Sequence, residues 1–127
     1  MFIAYEVTKE LIASLREVVP TIRRSDRDLA DQLSRAATSV LLNLAEGQKF
    51  NNGNRRKHYE IAHGGANEVK AAIDAAEAWG WIEGAAVQRE LLDRVLALLW
   101  RLTHADAIQP RSRAVRASGA PTSRSDR

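Results

Sequence analysis

Apolar residues recur at alternating steps of three and four along most of this chain, the spacing that lines up one face of an α-helix. The clearest case covers residues 26–46 and is followed at once by Gly47. Glycine often ends a helix in a left-handed conformation, so we expect this helix to stop at Gly47, with Ser25 as its N-cap. The apolar stripe of this helix comprises Leu29, Leu33, Ala36, Ala37, Val40, Leu41 and Leu44.

The same periodicity predicts three further helices, over residues 4–19, 54–80 and 84–108. Pro20 cannot donate a backbone hydrogen bond, so it should end or bend the first of them, with residues 21–24 as an irregular continuation. Four helices of about twenty residues fit a chain of this length. We therefore predict an all-α fold, with four helices formed by residues 1–109. The first predicted helix carries the stripe Ala4, Val7, Leu11, Leu15, Val18 and Ile22. The fourth carries the stripe Val87, Leu91, Val95, Leu98 and Leu102, with Leu92, Leu99 and Ala105 on an adjacent strip.

Length and composition limit the classes of protein to consider. A chain of 127 residues is the size of one domain. It contains no cysteine, so it can form no disulfide framework and has no thiolate chemistry. No run of about 18 apolar residues exists to span a membrane. The N-terminal sequence MFIAYEVTKE lacks the basic and apolar regions of a signal peptide, so we expect a cytoplasmic protein.

The charge of the chain is unevenly distributed. Residues 1–109 hold 14 Lys and Arg and 15 Asp and Glu, whereas residues 110–127 hold five Arg and one Asp. The high isoelectric point of about 9.7 therefore comes mainly from the last 18 residues. These residues, PRSRAVRASGAPTSRSDR, have no apolar periodicity and should be disordered. Arginines such as Arg111, Arg113 and Arg116 could bind nucleic acid without sequence preference, or the tail could simply increase solubility.

Three polar residues, Ser39, Asn43 and Glu46, share a face near the apolar stripe of the second predicted helix. For Ser39 the simplest interpretation is a hydroxyl that donates to the carbonyl four residues earlier. For Asn43 and Glu46 it is a hydrogen-bonded pair that fixes how this helix meets its neighbours. A structural role is favoured over a catalytic one, because single polar residues on helix faces are usually hydrogen-bonded rather than reactive.

These residues carry a family resemblance. The run Arg35-Ala36-Ala37-x-Ser39-x-x-x-Asn43-x-Ala45-Glu46-Gly47 resembles the signature of small bacterial four-helix bundle proteins, some of them encoded in intervening sequences of 23S ribosomal RNA genes. The segment Ala62-x-Gly64-x-x-x-Glu68, followed by Trp79-Gly80-Trp81-Ile82, resembles the same family's third helix and the turn that ends it. The resemblance covers about residues 5–105.

The resemblance implies an antiparallel up-down-up-down four-helix bundle that assembles as a closed ring, typically a homopentamer. It also implies a nucleic-acid or protein-partner role, as in the related accessory proteins of diversity-generating retroelements. It implies neither enzymatic activity nor a cofactor. Those accessory relatives are markedly basic on the bundle itself, and this chain is not. In this interpretation Ser39, Asn43, Glu46, Gly47 and Glu68 hold the bundle or its interface together.

One dense basic cluster opens the third predicted helix. Its residues Arg55, Arg56 and Lys57 follow Lys49 and precede Tyr59. Cations at a helix N-terminus oppose the helix dipole by a few tenths of a kcal/mol each, so local stability does not explain them. We predict a small phosphate-binding patch with Tyr59 as a stacking residue. A charged helix start without a partner remains the alternative.

The third predicted helix also contains adjacent glycines, Gly64 and Gly65, which cost about 1 kcal/mol each relative to alanine. A close approach of another backbone, within the bundle or across a subunit boundary, would offset that cost. Trp81 and Trp100 could anchor an interface between subunits. We therefore predict an oligomer interface at Gly64, Gly65, Trp81 and Trp100, while Phe50 in the preceding loop should cover the end of the bundle or stack on a base.

A metal-dependent oxidase is the remaining alternative. Glu60 and His63 match half of the carboxylate–histidine set that di-iron bundles place on two helices, but no second such pair exists in the sequence. We therefore expect no enzyme and no metal site. The favoured function is an oligomeric binding or scaffold module that interacts with RNA, DNA or a nucleic-acid-processing protein. A scaffold that binds only proteins is the alternative.

Overall fold

The computed structural model describes residues 1–51 and 53–104. These residues form five α-helices and no strand, which confirms the all-α prediction. Among them, no helix is both long and apolar enough to cross a membrane. The predicted domain boundary at residue 109 and the tail that follows it lie outside the described residues. The helices are α1 (Ile3–Leu15), α2 (Val19–Ser25), α3 (Arg27–Gly47), α4 (Gly53–Ala78) and α5 (Ala86–Thr103).

The break between α1 and α2 precedes Pro20 instead of following it. Helix α1 ends at Leu15, a turn follows, and Pro20 lies in the first turn of α2. The prediction of an irregular segment over residues 21–24 was therefore wrong. Proline is tolerated in a first turn, because the N–H it lacks would have no intrahelical partner there. The apolar stripe from Ala4 to Ile22 nevertheless stays buried through the break.

Helix α3 begins at Arg27, and its N-cap is Asp26 and not Ser25. The Oδ1 atom of Asp26 accepts a hydrogen bond of 2.9 Å from the backbone N–H of Leu29, whereas Ser25 is the last residue of α2. Helix α3 ends at Gly47, as predicted, but Gly47 does not have the predicted left-handed conformation. Gly47 is helical, and the chain unwinds through short turns in which Lys49 and Phe50 donate to the carbonyls of Glu46 and Gly47.

Helix α4 ends in a glycine turn of the Schellman type. The backbone N–H of Trp81 donates to the carbonyl of Ala76 and that of Gly80 to the carbonyl of Glu77, both at 2.9 Å. Gly80 has a φ of +80°, a left-handed conformation in which a side chain would be strained. The stop predicted at Gly80 is therefore correct within two residues, since α4 itself ends at Ala78.

Helix α5 buries the predicted adjacent strip more deeply than the predicted main stripe. Leu92, Val95 and Leu99 are fully buried, whereas Val87 is 58% exposed. Gln88 is buried in place of Val87, and its Nε2 donates to the carbonyl of Ser14 at 2.8 Å. Because the apolar surface of this helix is wide, the sequence pattern is compatible with either strip facing the core and does not decide between them. The predicted extension of this helix over residues 105–108 lies outside the described residues.

The helices pack around one apolar core. Helix α3 packs against α4, α4 against α5, α5 against α1, and α1 and α2 both against α3. The starts of α1 and α4 meet where the rings of Phe2 and Tyr59 lie 6.0 Å apart. The end of α4 meets the start of α5 where Arg89 pairs with Glu77 at 2.6 Å.

Candidate nucleic-acid interface

Four helix ends gather at one end of the molecule. A shallow cleft of about 490 Å³ there is lined by the residue before α1, the residue after α3, the first turns of α4 and the end of α5. The helix-end segments around this cleft comprise residues 1–6, 44–51, 53–60 and 99–104, and we call them the basic end. The residues that line the cleft are Phe2, Gln48, Arg55, Tyr59, Arg101 and Leu102.

The two ends of the molecule differ in charge. The basic end holds five Lys and Arg and three Asp and Glu, a net charge of +2. The opposite end, residues 14–31 and 72–91, holds five Arg and eight Asp and Glu, a net charge of −3, and we call it the acidic end. The net charge over residues 1–109 does not show this asymmetry, because the charges of the two ends nearly cancel. A polyanion would therefore be attracted to one end of the molecule and repelled from the other.

The predicted phosphate-binding residues Lys49, Arg55, Arg56 and Lys57 lie at the basic end, but several have local partners. The predicted tail residues Arg111, Arg113 and Arg116 lie outside the described residues. Lys49 pairs with Glu46 at 3.1 Å, and Arg56 with Glu60 at 3.3 Å. Lys57 is exposed. These ion pairs are solvent-exposed, so each is worth at most about 1 kcal/mol and can be exchanged for a phosphate.

Arg55 has a structural role that the sequence interpretation missed. Its Nε donates to the carbonyl of Gly47 at 3.3 Å, so it satisfies an acceptor at the end of α3. The N-terminus of α4 disfavours cations, but the C-terminus of α3 beside it favours them. The argument that local stability does not explain the cluster was therefore wrong for Arg55. The carbonyl at the end of α3 therefore explains the position of one cation of the basic cluster, Arg55.

Tyr59 is not the exposed stacking residue that we predicted. Its side chain is 5% exposed, and its ring contacts the backbone of Gly47 and lies near the ring of Phe2. Burial raises the pKa of its hydroxyl above the usual value of 10. Tyr59 thus belongs to the core and joins the second turn of α4 to the last turn of α3.

Asn43 connects α3 to α4 through His58. The Nδ2 of Asn43 donates to the carbonyl of Ser39 at 2.9 Å and to its hydroxyl at 3.2 Å. Its Oδ1 lies 2.9 Å from Nδ1 of His58. Because that amide oxygen can only accept, Nδ1 of His58 carries the proton.

The hydrogen bonds predicted for this polar face were wrong. Glu46 pairs with Lys49 and not with Asn43. The hydroxyl of Ser39 lies beside Asn43 instead of reaching back one turn. No spacing rule pointed to His58, since it lies 15 residues from Asn43 on the next helix. Glu68 is exposed beside a groove that also includes Leu29 and Gln32.

The adjacent glycines of α4 have different surroundings. A Cβ on Gly65 would lie 3.0 Å from Cγ2 of Val40 and 3.2 Å from the carbonyl oxygen of Ala36. The close approach expected for Gly65 therefore occurs within the chain, against α3. Gly64 is exposed, with open space around it. Of the two, Gly64 is the one whose surface is available to another subunit.

Aromatic rings stack in pairs at both ends of the molecule. At the acidic end Trp79 and Trp81 stack with centroids 5.7 Å apart, and Trp79 is 71% exposed. At the basic end Trp100 stacks on His104 with centroids 4.2 Å apart. Phe50 stacks on His58 with centroids 5.9 Å apart and planes only 4° apart. The four-residue spacing of Trp100 and His104 could have indicated their contact, whereas nothing in the sequence indicated that of Phe50 and His58.

Glu60 and His63 do not form part of a wider ligand set. In the part of the chain that the structure describes, no three His, Cys, Asp or Glu side chains converge as metal ligands would. Glu60 is exposed and pairs with Arg56.

The geometry thus defines an all-α module with one basic end, and comparison with known proteins gives its family. The chain belongs to the 23S rRNA-intervening sequence protein family, whose model matches residues 2–102. It is similar to a crystal structure from Bacteroides thetaiotaomicron described as a protein of unknown function from the S23 ribosomal protein family. That similarity has a TM-score of 0.69 and 15% identity, and it covers 79% of this chain and 97% of the other. It shows a shared fold. No curated protein matches the sequence.

Proposed function

We propose that this protein is a cytoplasmic, non-enzymatic binding module that assembles as a homo-oligomer and interacts with nucleic acid, RNA or DNA, or with a protein that processes it. The observation that carries the proposal is the basic end. There Arg55 of α4 and Arg101 of α5 line one cleft. Lys49 lies in the α3–α4 loop, and the exposed Lys57 lies two residues after Arg55. The family name associates these proteins with ribosomal RNA genes, which agrees with such a role.

The proposed architecture is an antiparallel four-helix bundle in which α1 and α2 together form one kinked rod. Three pairs of contacting helix ends support it. The end of α3 meets the start of α4 at Asn43 and His58. The end of α4 meets the start of α5 at Glu77 and Arg89. The end of α1 meets the start of α5, because Gln88 donates to Ser14. Neighbouring helices in this arrangement run in opposite directions.

The tail arginines would add to the positive charge of the basic end. The chain leaves α5 at His104, and the first tail arginine is Arg111. Seven residues span at most roughly 25 Å when fully extended, so Arg111 can reach a polyanion bound at the basic end. Phosphate contacts by Arg111, Arg113 and Arg116 would add to those of the helices and make binding strongly salt-dependent.

Self-association would bring the positive charges of several basic ends together. The resemblance noted in the sequence implies a homopentamer, and a ring would place five basic ends side by side. Exposed apolar side chains, among them Leu42 at 61% and Trp100 at 46% exposure, supply surface that association could bury. Gly64 and the half-buried Trp81 complete the proposed interface residues.

The test is binding of labelled mixed-sequence RNA and DNA to the full chain at about 50 mM and about 200 mM salt. We expect binding at low salt that weakens steeply at the higher concentration. Lys57→Glu, and separately a triple change of Arg111, Arg113 and Arg116 to Gln, should each reduce affinity. Arg94→Glu, an equal charge reversal at an exposed position on α5, is the matched control. No binding by the unaltered chain at low salt would exclude a nucleic-acid role.

A scaffold that binds only proteins is the second candidate. The observation that favours it is a groove of about 500 Å³ between α1, α2 and α3, lined by apolar residues that include Ile12, Val19 and Ala37. A partner protein that co-purifies after nuclease treatment, together with no nucleic-acid binding, would support this function over the first.

A further inference from the structure

We infer that the cleft at the basic end binds the terminal phosphate of a nucleic-acid strand, held by Arg55, Arg101 and the hydroxyl of Tyr59. All three residues line the cleft. This inference rests on the proposed function and deepens it, because it names the part of the nucleic acid that one site holds. A strand would be recognised there at its end and not along its length.

Two arginines give the cleft a positive charge that no nearby carboxylate neutralises. Among the described residues, no Asp or Glu lines the cleft, and neither Arg55 nor Arg101 forms an ion pair. The Nε of Arg55 donates to a neutral carbonyl, that of Gly47, so its charge is retained and its terminal N–H groups can donate to a ligand. Lys49 and Arg56 differ, because each is paired with a glutamate.

Tyr59 brings a polar group without a partner to the same cleft. Its side chain is 5% exposed, and its hydroxyl makes no hydrogen bond to any of the described residues. Burial raises the pKa of this hydroxyl, and the nearby charge of Arg55 lowers it by less, so the group keeps its proton near neutral pH and can donate it. Buried donors without an acceptor are rare in folded proteins. An anion in the cleft would supply the acceptor.

This set of donors suits a terminal phosphate better than an internal one. A phosphate monoester carries a charge of about −1.5 to −2 near neutral pH and has three acceptor oxygens, whereas an internal phosphodiester carries a single charge and has fewer free oxygens. Each guanidinium group can donate more than one N–H to a phosphate, and the hydroxyl of Tyr59 adds a further donor. Two cations therefore match the charge of a monoester.

The size and the apolar lining of the cleft agree with one nucleotide at a strand end. Its volume of about 490 Å³ lies within the range of small-ligand sites. The side chains of Phe2 and Leu102 form its apolar part and are half-buried, so they can contact the sugar or base that carries the phosphate. Gln48 is exposed and also lines the cleft, and its amide can donate or accept a hydrogen bond.

The experiment measures the affinity of the full chain for labelled single strands of about ten nucleotides at about 50 mM salt. One strand carries a 5′-phosphate, one a 3′-phosphate, and one has hydroxyl groups at both ends. A fourth strand, about two nucleotides longer and with hydroxyl ends, has the same charge as the phosphorylated strands. We expect at least one phosphorylated strand to bind about tenfold more tightly than both strands with hydroxyl ends.

Substitutions in the cleft test the residues assigned to it. Arg101→Gln and Tyr59→Phe should each remove most of the preference for the phosphorylated strand. Arg101 is exposed, and Tyr59→Phe removes only the unpartnered hydroxyl, so the melting temperature of neither variant should fall. Arg94→Gln is the matched control and should keep the preference. Arg94 is exposed about two turns earlier on nearly the same face of α5, and it does not line the cleft.

The outcomes separate this inference from the proposed function. Equal affinity for the phosphorylated strands and the longer strand of equal charge would overturn the inference and leave the proposed function intact. A preference that survives Arg101→Gln or Tyr59→Phe would also overturn it, because the phosphate would then lie elsewhere. A nucleoside monophosphate that binds as tightly as the phosphorylated strand would assign the cleft to free nucleotides and contradict a strand end. Failure of every strand to bind would exclude the proposed function as well.

Discussion

The ring of Tyr59 lies directly against the α-carbon of Gly47. A Cβ placed on Gly47 would be 2.8 Å from Cδ1 of Tyr59, closer than any side chain would tolerate without a shift. Tyr59 is in the first turns of α4 and Gly47 is the last residue of α3. The contact therefore sets the distance between the two helices at the basic end.

Gly47→Ala should destabilise the fold. Alanine gains about 1 kcal/mol over glycine in a helix, but overpacking against a buried ring costs about 1–3 kcal/mol. We expect a net loss of roughly 1 kcal/mol in the free energy of unfolding, measured by urea denaturation. Combining Gly47→Ala with Tyr59→Leu should relieve the overlap, so the two changes should be non-additive. Strict additivity would show that the ring does not constrain Gly47.

Gly64→Ala should have the opposite effect. Gly64 lies within α4, and a methyl group added there would meet no other atom within 4 Å. Only helix propensity therefore changes, by about 1 kcal/mol in favour of folding. The gain should appear in the same urea experiment. If Gly64 instead packs against another subunit, Gly64→Ala will weaken self-association, and light scattering at several protein concentrations will detect that.

The periodic features of the fold were predictable, whereas the contacts between helices were not. The buried stripe from Ala4 to Ile22 follows from local spacing alone. The hydrogen bond between Asn43 and His58 depends on the register of α3 against α4, which the sequence pattern does not specify. The same limit explains the missed role of Arg55, since its acceptor belongs to a different helix end. The glycine turn after α4 could be predicted, because it depends only on consecutive residues of the sequence.

Asp26→Ala should destabilise α3, whereas Ser25→Ala should have little effect. Asp26 accepts from the N–H of Leu29 at 2.9 Å, and loss of such an N-cap typically costs about 1 kcal/mol. Ser25 is exposed at the end of α2. Thermal unfolding of both variants tests this difference between neighbouring residues. Equal destabilisation by the two changes would argue against Asp26 as the cap.

Acid should weaken the connection between α4 and α5. Hydrogen bonds from Lys70 and Arg89 lower the pKa of Asp74 below its usual value of 3.8. A lowered folded-state pKa contributes stability that is complete above the unfolded-state value and is lost as the pH falls through the folded-state value. The contribution of these exposed pairs is at most about 1 kcal/mol.

Asp74→Asn should therefore lower the melting temperature at neutral pH and have a smaller effect at low pH, where the wild-type carboxylate is also protonated. Asp93→Asn removes another carboxylate, exposed on α5, and serves as the control. A difference between Asp74→Asn and wild type that stays constant as the pH falls below about 3.8 would contradict the linkage.

His58 should be held in the tautomer with its proton on Nδ1. The amide of Asn43 is oriented by its two hydrogen bonds to Ser39, so its Oδ1 is left to accept from His58. Nitrogen-15 chemical shifts of the imidazole ring report the tautomer directly. In Asn43→Ala the acceptor is lost, and the proton should redistribute between the two ring nitrogens. His104 provides an internal control, because its Nδ1 donates to the carbonyl of Trp100, which the substitution leaves in place. A His58 signal unchanged in Asn43→Ala would mean that another group fixes the ring, and the link between α3 and α4 would then not depend on Asn43.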